Sequence, residues 1–409
     1  MSDRMDIDSG DPLTTLITLR EEIEPTDDAD LIGAFYKLED LYERKLWFQL
    51  SELLENDVYK NEHSEGIRLR LFENFIMSFG DKLNQLKLVQ FLLLSIEQCT
   101  PEDSLEHLKM LRQKVTDYGL KESKKVVEED INDNEVIQAL IFVEVETARV
   151  KLEMGNIDEA TAIMDECQKK IDKLTSSVDN RVNASYYGTN AKVMQINGDY
   201  SSYYYSSLLF LACIENIDEL GDKEDIVRKI CISGLLGDRI YNFGEIITHE
   251  IFKYLKDEWL KKLVIALNSG DLEVFEQIVS SGEIQKIPEL SSHIEFLKQK
   301  VCIMALIEIV FNKPTNNKTV RYSEILKSIP ALKDANDVEM MVMKCLSLGL
   351  IKGHINEVSS EVEINWIQPH TMTMEQIGHM QNKMTSGVIV SKSLAHTCQR
   401  RVKAYGCEV

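Results

Sequence analysis

FLKQKVCIMALIEIVF, residues 296–311, opens the stretch of sequence that decides the fold. Its apolar residues cover nearly every side of a helix, which is typical of a helix buried on most sides. A break at 313–317 (KPTNN) follows, and two shorter amphipathic patterns come after it, at 322–329 and 336–348. Gly349 stands where the last of these helices should stop, because glycine adopts the left-handed conformation that ends many helices. The stretch therefore predicts three helices in succession.

Beyond Gly349 the spacing of apolar residues changes from helical to alternating. Two short runs carry an apolar or small residue at every second position, namely Ile351, Gly353 and Ile355, then Val362, Ile364 and Trp366. Such alternation predicts two strands whose inner face, formed by Ile351, Ile355, Val362 and Ile364, packs on the three helices. EVSS (357–360) lies between the runs and predicts a hairpin loop. Three helices followed by a hairpin is the order of elements in a winged helix.

The charges of this winged helix disfavour DNA binding, which is the first function that the fold suggests. Its recognition helix carries Asp337 and Glu339 near the start and only Lys344 further on. From 321 to 366 the sequence has five basic and seven acidic residues, and three of the acids stand in the wing: Glu357, Glu361 and Glu363. Binding to a phosphate backbone needs Lys and Arg at these positions. The sequence therefore predicts a module that binds protein and not nucleic acid.

The composition of the whole chain indicates a globular protein of the cell interior. The chain has 409 residues, 44% of them hydrophobic, so it is long enough for two or three domains. Its formal net charge of -22 and isoelectric point near 4.9 disfavour nucleic acid and anionic membrane as partners. Eight cysteines form no C-x-x-C pair, and most stand among apolar residues. We expect reduced, buried thiols.

The amino terminus and the distribution of apolar runs show no targeting or membrane signal. Residues 1–12 are acidic and lack an apolar core, so they predict a disordered segment that is no signal peptide. No apolar run approaches the ~18 residues that a membrane span needs. These features predict a soluble protein of the cytoplasm and nucleus that has no membrane partner.

Between 13 and 290 the sequence reads almost entirely as amphipathic helices with short breaks. In three places one helical stripe stops and another begins at a glycine followed by Asn or Asp: Gly155-Asn156, Gly198-Asp199 and Gly270-Asp271. Paired helices with tight glycine turns resemble tetratricopeptide-like units, although the full signature of those repeats is absent. We predict a right-handed α-solenoid of helical repeats over 13–290, which suits scaffolding. The fold class is therefore all-α with a small β hairpin.

No motif in the sequence supports catalysis. GLLGDR (234–239) has two glycines, but no strand precedes it and no Gly-Lys-Ser/Thr follows, so a turn between helices is favoured over phosphate binding. His249-Glu250 lacks the second histidine of a zinc-protease motif, and His354 stands on the polar side of a strand. The aromatic run 202–210 has the spacing of a packed helix stripe. We predict no catalytic, cofactor-binding or metal-binding residues.

Several long motifs are similar to those of one family. They are ERKLWFQLSELL (43–54), RLRLFENF (68–75), KLNQLKLVQFLL (82–93), YYYSSLLFL (203–211), GLLGDRIYNFGEI (234–246), FLKQKVCIMALIE (296–308), SLGLIKGHI (347–355) and INWIQP (364–369). Together with helical repeats that run into a winged helix, they resemble the PCI-domain family. The similarity is greatest to a non-ATPase subunit in the lid of the 26S proteasome regulatory particle, and it covers about 30–384.

The resemblance implies a structural role in a hetero-oligomeric complex that supports ubiquitin-dependent protein degradation. It implies no enzyme activity and no cofactor, and it implies other lid PCI subunits and the lid deubiquitinase arm as partners. The same fold occurs in the signalosome and in a translation-initiation scaffold, which are the alternatives. The resemblance also implies a C-terminal helix, at 370–384, whereas the basic tail at 385–409 does not look like the family.

The candidate partner-binding residues lie on the wing and on the C-terminal helix. The winged-helix part of the PCI domain spans 291–369, and a two-stranded wing leaves one strand with unpaired N–H and C=O groups. Such an edge can accept a strand from another chain. The candidates are the polar positions of the wing and two positions of the following helix: Lys352, His354, Asn356, Glu361, Glu363, Asn365, Gln376 and Met380.

Overall fold

The computed structural model describes most of the chain, namely residues 11–23, 28–123, 133–174, 177–214, 220–311, 313, 319–368, 377, 378, 381, 384 and 385. The described residues are mainly helical and include one small sheet, as the sequence predicts. The chain divides into two compact units, Met1–Glu219 and Leu220–Val409. This division falls inside the segment 13–290 for which the sequence predicts a single solenoid.

The first unit has ten α-helices among its described residues. They are α1 (Pro12–Ile23), α2 (Ala29–Glu43), α3 (Trp47–Leu53), α4 (Arg68–Asn74), α5 (Gln85–Ile96), α6 (Pro101–Ser123), α7 (Asn134–Glu153), α8 (Ile157–Lys173), α9 (Asn180–Asn197) and α10 (Tyr200–Cys213). A π-helical turn (Leu54–Val58) and three short 3-10 segments (Glu62–Ile67, Ile76–Ser78 and Gly80–Lys82) connect the helices near α3 and α4.

Polar side chains cap the first turns of many of these helices. Asp28 accepts the backbone N–H groups of Asp30 and Leu31 at the start of α2, at 3.2 and 3.3 Å. These N–H groups have no partner inside the helix, so a carboxylate oxygen at this position stabilises the helix. The same role at α5, α7, α9 and α10 falls to Asn84, Asp133, Asp179 and Asp199.

Aromatic packing and a charged network hold the helices of the first unit together. Rings of α2, α3 and the segment after α4 lie with centroids 5.1–5.7 Å apart: Tyr42, Trp47, Phe75 and Phe79. Farther along the unit, Glu144 on α7 accepts hydrogen bonds from Arg112 on α6, at 3.1 Å, and from Lys170 on α8, at 2.6 Å. One carboxylate therefore ties three consecutive helices together.

The second unit has eight α-helices and three strands among its described residues. The helices are α11 (Lys223–Leu236), α12 (Gly244–Thr248), α13 (Glu258–Ser269), α14 (Leu272–Ser280), α15 (Pro288–Ser291), α16 (Ile294–Phe311), α17 (Tyr322–Ser328) and α18 (Ala335–Ser347). The strands are β1 (Thr319–Arg321), β2 (Ile351–Asn356) and β3 (Glu361–Ile367). Two 3-10 segments, Glu250–Tyr254 and Glu283–Lys286, follow α12 and α14.

The structure confirms the three glycine turns and the helix end that the sequence predicts. Gly155, Gly198 and Gly270 join α7 to α8, α9 to α10 and α13 to α14, each in the left-handed conformation with φ between 70° and 85°. Gly349, after α18, has a φ of 73°. Residues with a Cβ rarely adopt this conformation, which explains why glycine stands at each position.

Candidate functional site

The winged helix predicted from the sequence is present in the second unit. α17 and α18 begin and end within one residue of the predicted ranges. They pack with α16 against one face of the sheet. The apolar residues of this cluster include Leu306, Val310, Ile325, Val338, Val342, Ile351, Val362 and Ile364. The inward positions of the alternating pattern therefore face a shared core, which fixes the sheet against the helices.

A third strand, β1, changes the arrangement of the wing. β1 pairs antiparallel with β3, and the strand order in the sheet is β1-β3-β2. Thr319 lies opposite Glu363 and Arg321 lies opposite Glu361. The expectation of a two-stranded wing is therefore wrong, because three residues before α17 complete the sheet. β3 is the central strand, and β2 is an edge strand.

A β-bulge near the end of the hairpin reverses the direction of one aromatic side chain. Lys352 pairs with Trp366 and the next residue, Gly353, pairs with Ile364, so Asn365 is the extra residue of β3. The bulge turns Trp366 to the solvent face, although its position in the alternating pattern matches that of Val362 and Ile364. There it is 39% exposed, and the Lys352 ammonium lies 4.9 Å from its ring centroid.

The bulge also explains the glycine in β2. A Cβ added to Gly353 would lie 2.1 Å from the carbonyl oxygen of Glu363 and 3.0 Å from Cα of Ile364. Any other residue would therefore push the two strands apart. A glycine inside a strand pattern is the one signal in the sequence that could have indicated the bulge.

Six of the eight candidate partner-binding residues lie together on this sheet, on its solvent-facing side. Exposed members on the edge strand are Lys352, His354 and Asn356, and on the central strand Glu363 and Asn365 are exposed while Glu361 is half-buried. Gln376 and Met380 lie outside the described residues. Most of the predicted helix 370–384 and the basic tail 385–409 also lie outside them, apart from helical residues at 377, 378, 381, 384 and 385.

The pairing of β3 with β1 determines which backbone groups of β3 point toward β2. The backbone N–H of Tyr322 donates to the carbonyl oxygen of Ser360 at 3.0 Å. In an antiparallel ladder the direction of the backbone groups alternates along the strand. The N–H and C=O groups of Val362 therefore point toward β1, and those of Glu363 point toward β2.

The same alternation decides which groups of the edge strand are unpaired. His354 lies opposite Glu363, so its backbone groups point toward β3. At the start of β2, the N–H of Gln368 donates to the carbonyl oxygen of Leu350 at 2.8 Å. Leu350 lies four residues before His354, so its backbone groups should also point toward β3, as this hydrogen bond shows. The N–H and C=O groups of Gly353 and Ile355 therefore point away from the sheet, and no strand among the described residues lies beside them.

Internal pairs occupy several charges of the winged helix. The Arg321 guanidinium lies 3.1 Å from the Glu361 carboxylate across the sheet. The buried Tyr322 hydroxyl donates to Glu339 on α18 at 2.9 Å, and burial together with this hydrogen bond raises the pKa of Tyr322 to about 12. Glu363 remains exposed on the same face of the sheet. The paired Arg321 and the exposed Glu363 therefore make this face of the sheet unfavourable for a phosphate backbone.

Two families of known proteins match the two parts of this architecture. Residues 34–264 match the family described as PSD13 N-terminal repeats, which is more than half of the chain. Residues 272–366, which include α14, α16 and the winged helix, match the PCI domain. The chain belongs to the PSD13 family of PCI-domain proteins. The family predicted from the sequence motifs is thereby confirmed.

Relatives in the PSD13 family align with nearly the whole chain. The 26S proteasome regulatory subunit RPN9 of Saccharomyces cerevisiae is 36% identical over 378 residues, which is 91% of this chain and 92% of the yeast protein. The probable 26S proteasome regulatory subunit rpn9 of Schizosaccharomyces pombe is 36% identical, over 86% of this chain and 87% of its own length. In Arabidopsis thaliana, 26S proteasome non-ATPase regulatory subunit 13 homolog A is 31% identical over 87% of this chain and 91% of its own length.

A buried lysine joins the end of the PSD13 repeats to the PCI domain within the second unit. Lys300 on α16 is 1% exposed, and its ammonium donates to the carbonyl oxygens of Gly234, Leu235 and Gly237, at 2.9, 3.0 and 2.7 Å. These carbonyls belong to the end of α11, where the helix leaves them without partners. Burial lowers the pKa of Lys300 to about 7, and nearby Asp238 opposes this shift. Three rings surround the ammonium: Tyr241, Phe243 and Phe296.

The cysteines that the structure describes are free, and four of them are buried. Six described cysteines are free thiols, and burial raises the pKa of Cys231 and Cys345 to about 12, so these two thiols stay protonated. No group of His, Cys, Asp and Glu within the described ranges could hold a metal ion. None of the described helices is both long and apolar enough to cross a membrane.

Proposed function

We propose that this protein is a structural subunit of the lid of the 26S proteasome regulatory particle. The observation that carries the proposal is that the yeast 26S proteasome regulatory subunit RPN9 aligns with 91% of the chain. This alignment includes both the helical repeats and the PCI domain, so the whole architecture corresponds and not one module alone. The subunit would support ubiquitin-dependent protein degradation by holding other subunits in place.

The proposal includes a role without catalysis, in the cytoplasm and nucleus, where regulatory particles would act on ubiquitylated proteins. The relatives are named as regulatory subunits and residues 272–366 match the PCI domain, and both findings support a non-enzymatic role. The signalosome and a translation-initiation scaffold are the alternatives that share the fold. The names of the aligned relatives favour the proteasome, since each of them is called a 26S proteasome subunit.

The edge strand β2 is the surface through which we propose that a neighbouring PCI subunit binds. Gly353 and Ile355 present outward-pointing N–H and C=O groups, and an extended segment of a partner could pair with them. β2 carries no proline, which would remove a donor. Its inner side is anchored on the core, so the edge is held rigid before a partner arrives. A rigid edge reduces the conformational entropy lost on binding.

Side chains on the solvent face of the sheet would select the partner. Lys352 and His354 alternate along the edge strand, and Glu363 lies opposite His354 on β3. Trp366 adds an aromatic surface beside Lys352, and tryptophan is enriched among residues that dominate binding energies. Glu361 and Glu363 on β3 contribute side chains only, because this part of the strand is paired with β1 on one side and with β2 on the other. Besides a neighbouring PCI subunit, we propose the lid deubiquitinase arm as a second partner of this protein.

Native purification tests the proposed assembly. The tagged full-length chain would be purified from cells, and the bound proteins would be identified and quantified by mass spectrometry. We expect the subunits of the lid, including its deubiquitinase, in amounts equal to the tagged chain, and an eluate that degrades a ubiquitylated substrate. An untagged strain is the control. Recovery of signalosome or initiation-scaffold subunits instead, or of the chain alone, would contradict the proposal.

A further inference from the structure

A groove with an apolar floor lies between α16 and α18, apart from the edge strand β2. Its volume is about 620 Å³, which is the size of sites that hold a few side chains or a small molecule. The apolar lining comes from α16, from the connection after α17 and from α18: Cys302, Ile303, Leu332, Met340 and Met341. All of these residues belong to the second unit.

The surface of α18 beside this groove is more apolar than an exposed helix should be. Met340 is 67% exposed at the groove, and Met343, which does not line it, is 52% exposed. In DNA-binding winged helices this helix carries polar and basic side chains that contact bases and phosphates. Methionine is flexible and polarisable, so it adapts to the side chains of a protein partner.

Lysines dominate the free charges at the rim of the groove. Lys298, Lys333 and Lys344 all line it, and no carboxylate of the described residues forms a salt bridge with any of them. Lys344 donates to the amide oxygen of Gln299 at 2.7 Å, which leaves its charge uncompensated. In a chain with a net charge of -22, three such lysines around one apolar groove form a local basic site.

The two acidic residues at the rim offset this charge only in part. Asp337 accepts the backbone N–H groups of Lys333 and Asp334, at 3.0 and 3.3 Å, and so serves as part of the cap of α18. Its carboxylate is therefore committed to the backbone of its own chain. Glu295 is the other acid, one turn before Lys298 on α16. The uncompensated charge of the rim is positive.

We propose that this groove binds a short acidic, amphipathic helix of a partner protein. Apolar side chains one turn apart on such a helix would fill the groove, and its carboxylates would pair with Lys298, Lys333 and Lys344. The basic tail of this chain, with Arg400 and Arg401, has the wrong charge to be the occupant. The site goes beyond the proposed function, because it uses side chains of α16 and α18 and not the backbone of β2.

A pair of designed peptides tests the proposal with the full-length protein. Both peptides would be helical with leucines spaced along one face, one with glutamates and the other with lysines at the flanking positions. Binding would be measured by fluorescence anisotropy. We expect the acidic peptide to bind at least about 10-fold more tightly than the basic one, and this preference to shrink as salt screens the lysines. Absence of binding by the acidic peptide would overturn the proposal.

Matched variants locate the binding to the groove. Met340→Glu should weaken binding of the acidic peptide about 10-fold or more, whereas Met343→Glu, an equal change on the same helix outside the groove, should leave it unchanged. The double variant Lys333→Glu with Lys344→Glu should reverse the preference in favour of the basic peptide. Lys327→Glu on α17 is the control for charge. Circular dichroism would confirm that each variant is folded, which is expected because both methionines are largely exposed.

Three further outcomes would overturn the proposal. The first is an equal loss of affinity in Met340→Glu and Met343→Glu, which would place binding elsewhere. The second is an unchanged preference in the lysine double variant, which would show that charge does not select the partner. The third is tight binding of a duplex DNA oligonucleotide, lost in the lysine double variant, which would make the groove a nucleic-acid site.

Discussion

The turn between α9 and α10 and the turn between α13 and α14 share a sequence but differ in their surroundings. Each has a glycine followed by aspartate, and each glycine is left-handed. A Cβ added to Gly198 would meet no heavy atom of the described residues within 4 Å. A Cβ added to Gly270 would lie 2.5 Å from the backbone nitrogen of Ala305 on α16. The first turn only reverses the chain, whereas the second also packs closely against the backbone of α16, which belongs to the PCI domain.

Buried cations show the same difference between the two units. In the first unit, Arg68 is 7% exposed and donates to the carbonyl oxygens of Tyr59 and Asn61, which lie within nine residues of it along the chain. In the second unit, Lys300 reaches carbonyl oxygens that lie 63–66 residues away. Arg68 therefore fixes a local segment of the first unit, whereas Lys300 links α16 to a helix that is distant along the chain. Damage in the second unit should spread to the winged helix.

The largest expected effect on stability comes from Gly270→Ala. The substitution combines a left-handed alanine, which costs about 1–2 kcal/mol, with a clash against the backbone of α16, which costs about 1–3 kcal/mol. Gly198→Ala is the matched control and should cost only the first amount. Urea unfolding followed by tryptophan fluorescence would report the second unit in a Trp47→Phe background, because Trp259 and Trp366 are its tryptophans. Gly198→Ala would be measured in a background with Trp259→Phe and Trp366→Phe, in which Trp47 reports the first unit.

Hydrogen exchange would show where the two alanine variants act. In Gly270→Ala we expect faster exchange in α16 and in the sheet, while Gly198→Ala should change exchange only near α9 and α10. Equal losses of stability in the two variants would contradict the difference drawn between the two turns.

Replacing Lys300 should have the next largest effect. Lys300→Ala leaves three carbonyl groups at the end of α11 without a donor and opens a cavity among three rings, so we expect a loss of about 2–3 kcal/mol. Lys300→Met fills the space and removes the cost of burying a charge, so it should lose less. The same fluorescence assay measures both. If Lys300→Ala were as stable as the parent protein, the contact between α11 and α16 would not depend on this side chain.

Over a single pH unit, the pH dependence of the second unit should be smaller than these losses, and it should be specific to Lys300. The pKa of Lys300 in the folded state, about 7, lies below its ordinary value of 10.5, so between these values the unfolded state binds more protons. The free energy of unfolding should therefore rise with pH above about 7, by at most about 1.4 kcal/mol per pH unit, and stay flat below it. Lys300→Met should lack this rise. An equal slope in both proteins would contradict the assignment.

Local signals in the sequence predicted much of the fold. Gly-Asp pairs located two helix turns, and the change from helical to alternating spacing located the winged helix, because both patterns are complete within a few residues. β1 was missed because the three residues Thr319–Arg321 are too short to show a period. The direction of Trp366 depends on the bulge, which exists only in the pairing of β2 with β3.

Features built from distant residues could not be found from the sequence. Lys300 is one lysine in an otherwise apolar run, and its carbonyl partners lie more than 60 residues earlier. The groove combines α16 with α18, so neither helix alone indicates it. Six candidate residues of the wing were predicted to be on the polar side, and the structure places them there. Which backbone groups of β2 remain unpaired depends on β1, because the pairing of β1 with β3 determines which groups of β3 point toward β2.

The central claim is that the outer edge of β2 holds this subunit in the lid, and one pair of variants tests it most directly. Ile355→Pro removes an N–H group that points away from the sheet, and edge strands tolerate proline at such positions. Ile355→Ala removes the same side chain and keeps the N–H group. His354→Pro would be a poorer test, because its N–H group points into the sheet.

The measurement is incorporation of each variant into reconstituted lid, quantified by native mass spectrometry after circular dichroism confirms that both are folded and equally stable. The account predicts that Ile355→Ala assembles like the parent protein and that incorporation of Ile355→Pro falls at least about 10-fold, as expected if a hydrogen-bonded strand pairing is lost at an interface. Equal incorporation of the two variants would contradict the claim that the edge of β2 is the interface.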